Sequence, residues 1–347
     1  MTTHSSAIAP ETTALPRGLA WGGLGVLAFS LSLPMTQTAT RQLGPVFATS
    51  GRAVAATALA VAYLAWRRAR LPRRAVLPGL LAVAGGVVVG FPLFTALALQ
   101  RADSAHSAVI VGLLPMATAV LGVRRTGERP SVAFWAACGA GAVAVLVFAV
   151  VRGAGLPNAA DGLTLLAVLS AAVGYAEGAR LAPLLGADQV ICWALLLTLP
   201  LLLPVLVVDV ARTTPTADAA GWSSFTYTAA VSMFLGFFAW YRGLALGGVA
   251  KVSQVQLAQP LLTVAASAAL FGQRLEPTVV IAAVAVLVCV AAAVRTRVTA
   301  PPGTPSGPLP AAPPDAGGRG DPRPAEQLHL SGAVARHSGV CPQQGGG

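Results

Sequence analysis

The chain has 347 residues, a net charge of +11, 55% hydrophobic and only 10% charged residues, and a mean hydropathy of +0.72. Water-soluble domains carry roughly 25% charged residues, so water is excluded as the only solvent this surface meets. The arginines lie between long apolar runs, where basic residues set membrane orientation, so the excess charge is not read as a nucleic-acid surface.

Residues 1–16 lack an apolar run and are expected to be a disordered cytoplasmic lead. Continuous Leu/Ala/Val-rich runs then follow at 18–38, 45–66, 75–100, 104–123, 130–151, 162–182, 189–208, 220–241, 252–272 and 277–294. A bilayer core needs about 20 residues of helix, and these runs lack the alternating polarity of barrel strands. A secretory signal would account for one of them only. Residues 298–347 change character: ten prolines and ten glycines fall within 299–347 with no apolar run. Such a segment cannot bury enough surface to offset the entropy of ordering, which makes it a disordered cytoplasmic tail. The Arg319-Gly320-Asp321 tripeptide within it is a composition coincidence.

Cys138, Cys192 and Cys289 fall inside apolar spans and Cys341 in the tail. That spacing offers no disulfide framework and no zinc site, and neither metal nor cofactor is expected. Lys251 is the only lysine and follows Ala250, so a Gly-Lys-Ser/Thr phosphate loop is absent. None of the four histidines precedes a glutamate, as a zinc protease helix would require. The chain is therefore not read as an ATP-driven pump or an enzyme.

With the N-terminus inside, fourteen Lys and Arg residues fall on one side of the spans (Arg17, the Arg67–Arg74 cluster, Arg124, Arg125, Arg129, Arg180, Arg242, Lys251, Arg295, Arg297). Five fall on the other: Arg41, Arg101, Arg152, Arg212 and Arg274. This positive-inside bias predicts both termini in the cytoplasm of a multi-pass inner-membrane protein.

A shift of 145 positions superposes the two halves: Pro115, Thr118, Gly127 and Arg129 fall on Pro260, Thr263, Gly272 and Arg274, with coincident hydropathy boundaries. Five spans per half is an odd number, so the halves oppose one another, an arrangement recurrent in secondary transporters. The expected fold is an all-α membrane protein of ten transmembrane helices in two inverted five-helix repeats, residues 17–152 and 161–297.

The segment Arg101-Ala102-Asp103-Ser104-Ala105-His106-Ser107-Ala108, the helix with Pro115, and Gly127-Glu128-Arg129 before a helix rich in small residues resemble the EamA family of the drug/metabolite transporter superfamily. The pattern repeats from Ala250 through Pro260 to Gly272-Gln273-Arg274, and Arg52 in the second span is similar to it as well. The resemblance implies ten helices around a central cavity and export of amino acids, metabolites or drugs. Gln273 departs from the family's usual Glu. Glu128 is expected to cap the N-terminus of span five, where a carboxylate suits the helix dipole.

Charged groups within a bilayer are functional candidates. Glu177, the sole acidic residue inside an expected span, either pairs with Arg180 at i+3 or faces the cavity as a substrate or proton site. Arg52 either snorkels to the outer interface or faces the cavity, with a structural partner or an anionic substrate group. His106 opens span four and suits proton coupling or a plain interfacial role. Ser253, Gln256, Pro260, Thr263 and Ser267 recur at intervals of three and four, so they share one helical face that must meet protein or water rather than lipid. Pro115 and Pro260 each free a backbone carbonyl, predicting paired broken or bent helices at mid-membrane, where transporter sites are found. Tyr175 and Trp21 are candidates for stacking on a flat substrate, whereas Trp240 and Tyr241 beside Arg242 read as an interfacial aromatic belt.

The expected partners are a small-molecule substrate, membrane lipid and a second copy of the chain in a homodimer, with no nucleic acid. The expected function is secondary, ATP-independent transport, in the export direction, of a small organic metabolite, amino acid or drug by alternating access. An importer of the same fold and a non-transporting assembly factor or sensor are the alternatives.

Overall fold

The computed structural model describes residues 11–99, 111–151, 159–271, 277–296 and 298–299. Almost all of this is helix. The first half holds α1 (Glu11–Ser30), α2 (Ser32–Leu43), α3 (Arg52–Trp66), α4 (Leu77–Val83), α5 (Phe91–Leu99), α6 (Leu114–Thr126) and α7 (Val132–Val151). The second holds α8 (Ala159–Leu185), α9 (Ala187–Arg212), α10 (Ala219–Thr226), α11 (Gly236–Gly247), α12 (Val249–Ser253), α13 (Gln259–Phe271) and α14 (Pro277–Arg295). Because α1 already begins at Glu11, the helix takes in residues 11–16, which were expected to be disordered.

Among the described residues six helical runs are long and apolar enough to cross a bilayer: Ala14–Leu43, Phe47–Trp66, Arg74–Thr95, Gly162–Leu185, Ala187–Arg212 and Ala219–Gly247. They correspond to expected spans one to three and six to eight. Spans four, five, nine and ten fall on α6, α7, α12 with α13, and α14. The outer surface is apolar: Ile281, Val288, Leu81 and Leu201 are all more than half exposed. A water-soluble protein would hide such a band, and lipid does not penalise it.

The helices pair in a reciprocal way. Helix α1 runs along α11, and α8 runs along α4, the Ala84–Gly90 turn and α5. Helix α3 packs on α9, α7 on α14, α6 on α8, and α1 on α13. Tight crossings rest on small residues, since lipid tails give no hydrophobic drive between helices. A Cβ on Gly18 or Gly22 of α1 would strike Gly247 or Val252, and one on Gly86 would strike the Ser170 carbonyl of α8.

Two stretches leave the α-helical path in register with the repeat. Ala84–Gly90 and Tyr227–Leu235 are both π-helical, and the 145-residue shift carries the first onto 229–235. Each widened turn admits one extra residue and re-aims the helix beyond it. The only departure from helix among the described elements is a two-residue antiparallel clip, Arg129 opposite Thr299 and Pro130 opposite Val298.

Candidate functional site

The ninth expected span is broken into α12, a 3₁₀ stretch over Gln254–Ala258, and α13. Pro260 is the second residue of α13, and Pro115 the second residue of α6. A missing N–H costs little in the first turn, whose donors lack intrahelical acceptors anyway. Each proline therefore marks a fresh helical start rather than a bend inside a continuous helix.

The 3₁₀ stretch turns about 120° per residue instead of 100°, and a second glutamine, Gln254 at its start, is buried beside the expected stripe. Gln254 is fully buried; its Nε2 donates to the Pro115 carbonyl at 3.4 Å and to Ser253 Oγ at 3.2 Å. Gln256, also buried, donates to Gln259 Oε1 at 3.2 Å, and its amide faces the Tyr175 hydroxyl. Ser253 is fully buried and donates to the Ala250 carbonyl at 3.1 Å, and Thr263 donates to the Ser30 carbonyl of α1 at 2.9 Å. The seam between the halves is thus threaded by neutral polar groups.

An aromatic wall closes its flank. Tyr175 lies 5.5 Å from Trp240 and 6.1 Å from Phe237, ring centre to ring centre, and Phe29 lies 4.9 Å from Phe237. Trp240 and Tyr241 are both fully buried, and the Tyr241 hydroxyl donates to the Gly174 carbonyl at 3.3 Å. The interfacial belt expected of them is therefore wrong. Only Arg242 of that trio faces outward, its guanidinium 4.9 Å above the Trp21 ring. Trp21, partly exposed, lies under that cation.

Several buried polar atoms of this region have no hydrogen-bond partner: Gln254 Oε1, Gln256 Oε1, Thr118 Oγ1 and Trp240 Nε1. An unsatisfied buried group costs about 1–3 kcal/mol, and Arg52 Nε, Thr95 Oγ1 and Trp193 Nε1 elsewhere in the bundle are also without a partner. Two grooves on the flanks are different in kind. One of about 390 Å³ lies between Gly86 and Ser170, the other of about 410 Å³ between Val46 and Pro204, and both open outward among apolar side chains.

Glu177 is 3% exposed and sits in a charged cluster at one end of the bundle. Its Oε1 accepts from Arg125 Nε of α6 at 2.9 Å and its Oε2 from Arg180 Nε at 2.8 Å. The i+3 partner anticipated from sequence is present, and a cross-helix partner joins it. Beside this cluster Glu128 reaches across the molecule. Its carboxylate accepts from the backbone N–H groups of Val249 at 2.8 Å and Ala250 at 2.9 Å. Glu128 therefore caps α12, the start of span nine, and not span five as expected. Two φ-positive glycines make the reach possible: Gly127, at φ +75°, ends α6, and Gly248, at φ +82°, leads into α12.

Arg52 opens α3 directly after the π-helical turn Phe47–Gly51. Its Nη1 donates to Thr36 Oγ1 of α2 at 3.4 Å, while its Nε is buried without a partner. Ser32, one turn earlier on α2, donates to Ser232 Oγ at 2.6 Å. His106 lies outside the described residues.

Sequence reasoning missed Gln254, Trp240, Thr36 and Arg125. Gln254 sits one residue off the three-and-four spacing, though it lies four residues after the fully buried Ala250 and shares its face. Arg125 was read as a topology anchor, which its sequence context favours.

Comparison with known proteins places these features. The model of the EamA-like transporter family matches twice, over residues 16–150 and 158–295. The uncharacterized transporter YdeK of Bacillus subtilis (strain 168) is 44% identical over 274 residues, covering 79% of this chain and 96% of YdeK. A crystal structure known only as that of a protein matches with a TM-score of 0.64 at 18% identity, over 80% of this chain and 96% of its own, a likeness of fold.

Proposed function

The chain belongs to the EamA-like transporter family, and from that membership we propose that it exports a small organic solute across a bacterial inner membrane by alternating access, without ATP. Ten spans in two inverted repeats enclose the solute between the halves, near the Pro115 and Pro260 helical starts. Both termini lie in the cytoplasm, in keeping with the basic bias of that side.

The observation that carries this reading is the buried polar seam at which Gln254, Gln256, Thr118 and Trp240 hold unpartnered atoms. A purely structural seam satisfies its polar groups, because each orphan costs about 1–3 kcal/mol. A binding seam leaves some for the solute. Reciprocal helix pairing and the paired π-helical turns supply what rocking requires: two similar units with a shared interface. In the described conformation the seam is closed over, with Gln256 and Tyr175 both buried. Opening toward either face must then part contacts at one end while the other end holds.

Proteoliposome counterflow over a panel of amino acids, organic acids and hydrophobic drugs tests the proposal. Wild-type protein accelerates exchange of at least one solute. Gln256→Ala lowers that exchange about tenfold or more, as loss of one hydrogen bond of about 1.4 kcal/mol implies, at unchanged membrane abundance. Normal exchange by Gln256→Ala would remove the seam from the mechanism.

A further inference from the structure

We propose that the solute carries an anionic group, in the simplest case a carboxylate, and that Arg52 receives it. This rests on the transport reading above and names the chemistry of its substrate.

The argument starts from how the other charges near the bundle interior are treated. Glu177 has two guanidinium partners, Glu128 two backbone N–H donors, and Asp188 accepts from the Tyr63 hydroxyl at 2.6 Å. These three carboxylates are matched; the half-buried Asp209 of α9 has no partner among the described residues. Arg52 is not matched either. Among the described residues it forms no ion pair, and its sole hydrogen bond is the long one to Thr36. Its Nε is shut off from solvent with nothing to donate to.

A single hydroxyl at 3.4 Å is near the limit of a hydrogen bond, and it leaves the buried Nε of this half-buried arginine uncompensated. Unpaired cations inside membrane segments mark solute or ion paths. The free Nε–H belongs to the edge with which a guanidinium grips a planar oxyanion through two parallel bonds. Lysine would offer a point charge and no such edge.

The surroundings suit an anion and continue into the seam. Thr36 and Ser32 stand four residues apart on one face of α2, with the Ser232 hydroxyl against Ser32. Two residues before Ser32, the Ser30 carbonyl receives Thr263 of span nine. A solute anchored by its charge at Arg52 would therefore run along α2 toward the polar stripe. A lipid phosphate offers the same oxyanion chemistry from the headgroup layer, and the test must separate the two sources.

The full chain is reconstituted in nanodiscs of phosphatidylcholine alone. Its thermal midpoint is followed by intrinsic fluorescence against matched pairs: acetate and acetamide, benzoate and benzamide, L-phenylalanine and its amide. Carboxylates raise the midpoint and their amides do not. Arg52→Gln weakens the apparent carboxylate affinity about ten- to hundredfold, the loss expected for a charge-assisted bond. Arg52→Lys restores part of it, which a merely structural arginine would not show, and it carries the same comparison should Arg52→Gln fail to fold. Equal stabilisation by acids and amides, no stabilisation of wild type by any acid, or an unchanged response in the variants would overturn the proposal. So would an Arg52-dependent rise on adding phosphatidylglycerol that leaves carboxylates without further effect, since the lipid would then be the counter-ion. Counterflow keeps the two readings apart. Undiminished exchange by Arg52→Gln sinks the anionic subsite alone, whereas carboxylate stabilisation without exchange of any solute upholds the subsite and sinks transport.

Discussion

Replacing Glu128 by alanine should destabilise the protein through a helix more than a hundred residues away. The carboxylate accepts two backbone donors, at 2.8 and 2.9 Å, from residues that are almost wholly buried: Val249 at 2% exposure and Ala250 at 0%. Hydrogen bonds to a charged group contribute about 1.5–3 kcal/mol each. Glu128 itself is half-buried, and water entering the gap would satisfy part of what is lost, so the net loss is about 2–4 kcal/mol. Glutamine keeps one acceptor oxygen but no charge, so Glu128→Gln should lose about 1 kcal/mol. Residue 273, the repeat counterpart, is already a glutamine, so the variant would make the two ends chemically alike. Thermal midpoints read at one fixed scan rate, because membrane proteins unfold irreversibly, should fall by roughly 5–10 °C for alanine and 2–4 °C for glutamine. Amide exchange at Val249 and Ala250 should accelerate in the same order. A midpoint for Glu128→Ala within about 1 °C of wild type, or equal losses for the two variants, would refute the cap as a strut between the halves.

The Arg125–Glu177–Arg180 cluster predicts an order of damage. Arg125→Ala leaves Glu177 paired with Arg180 and should cost under about 1 kcal/mol, because the arginine side chains are 59% and 39% exposed and solvent screens them. Glu177→Ala frees both arginines to water and costs about 1–3 kcal/mol. The double variant Arg125→Ala with Arg180→Ala strands a buried carboxylate and costs about 3–5 kcal/mol; denaturation midpoints that reversed this order would show the charges act independently. Asp218 caps α10, accepting from the Gly221 N–H at 2.8 Å. That bond, with Gln42 beside it, holds the Asp218 carboxyl below its ordinary pKa. A depressed folded-state pKa gives stabilisation that is present above the unfolded-state value and lost as pH falls through the folded one. The protection factor of the Gly221 amide, its exchange corrected for the intrinsic pH dependence, should therefore fall as pH drops below the ordinary carboxylate range, and Asp218→Asn should flatten that dependence.

Much of the architecture was legible because the bilayer imposes a length. A run such as 189–208 is apolar throughout and can hardly be other than a span, and α9 covers it as Ala187–Arg212. The repeat was legible at Pro115 and Pro260, whose chemistry is local. What sequence could not convey depends on contacts between distant segments. The π-helical turn Ala84–Gly90 packs against α8 and α9 and Tyr227–Leu235 chiefly against α3, and Val, Ala and Gly carry no local signal for either. The role of Glu128 failed to show for the same reason: its donors are 121 and 122 positions away, while a nearer helix offered an obvious start to cap. Trp240 and Tyr241 misled because a belt is inferred from neighbours in sequence, and Arg242 beside them faces the opposite way.

These placements divide the labour of the fold by charge. Ions that fix structure stand at one end, where Glu128 binds the start of α12 to the end of α6 and Glu177 binds α6 to α8. Along the seam the contacts are neutral, such as Thr263 to Ser30 and Gln254 to Pro115, each worth about 1 kcal/mol and so exchangeable between conformations. A carrier needs both: a strong contact must be matched by an equal one in the alternate state or the cycle stalls. Under the proposed alternating access, weak seam contacts would let the halves slide and the charged end would set which conformation prevails without solute. On that argument, weakening the cap by Glu128→Gln should raise the share of molecules open at the end where α6 meets α12. Cysteine labelling at Ser253 reads this directly, and faster labelling in the variant than in wild type is the expected result; equal rates would mean that the strut stabilises the fold without biasing the cycle.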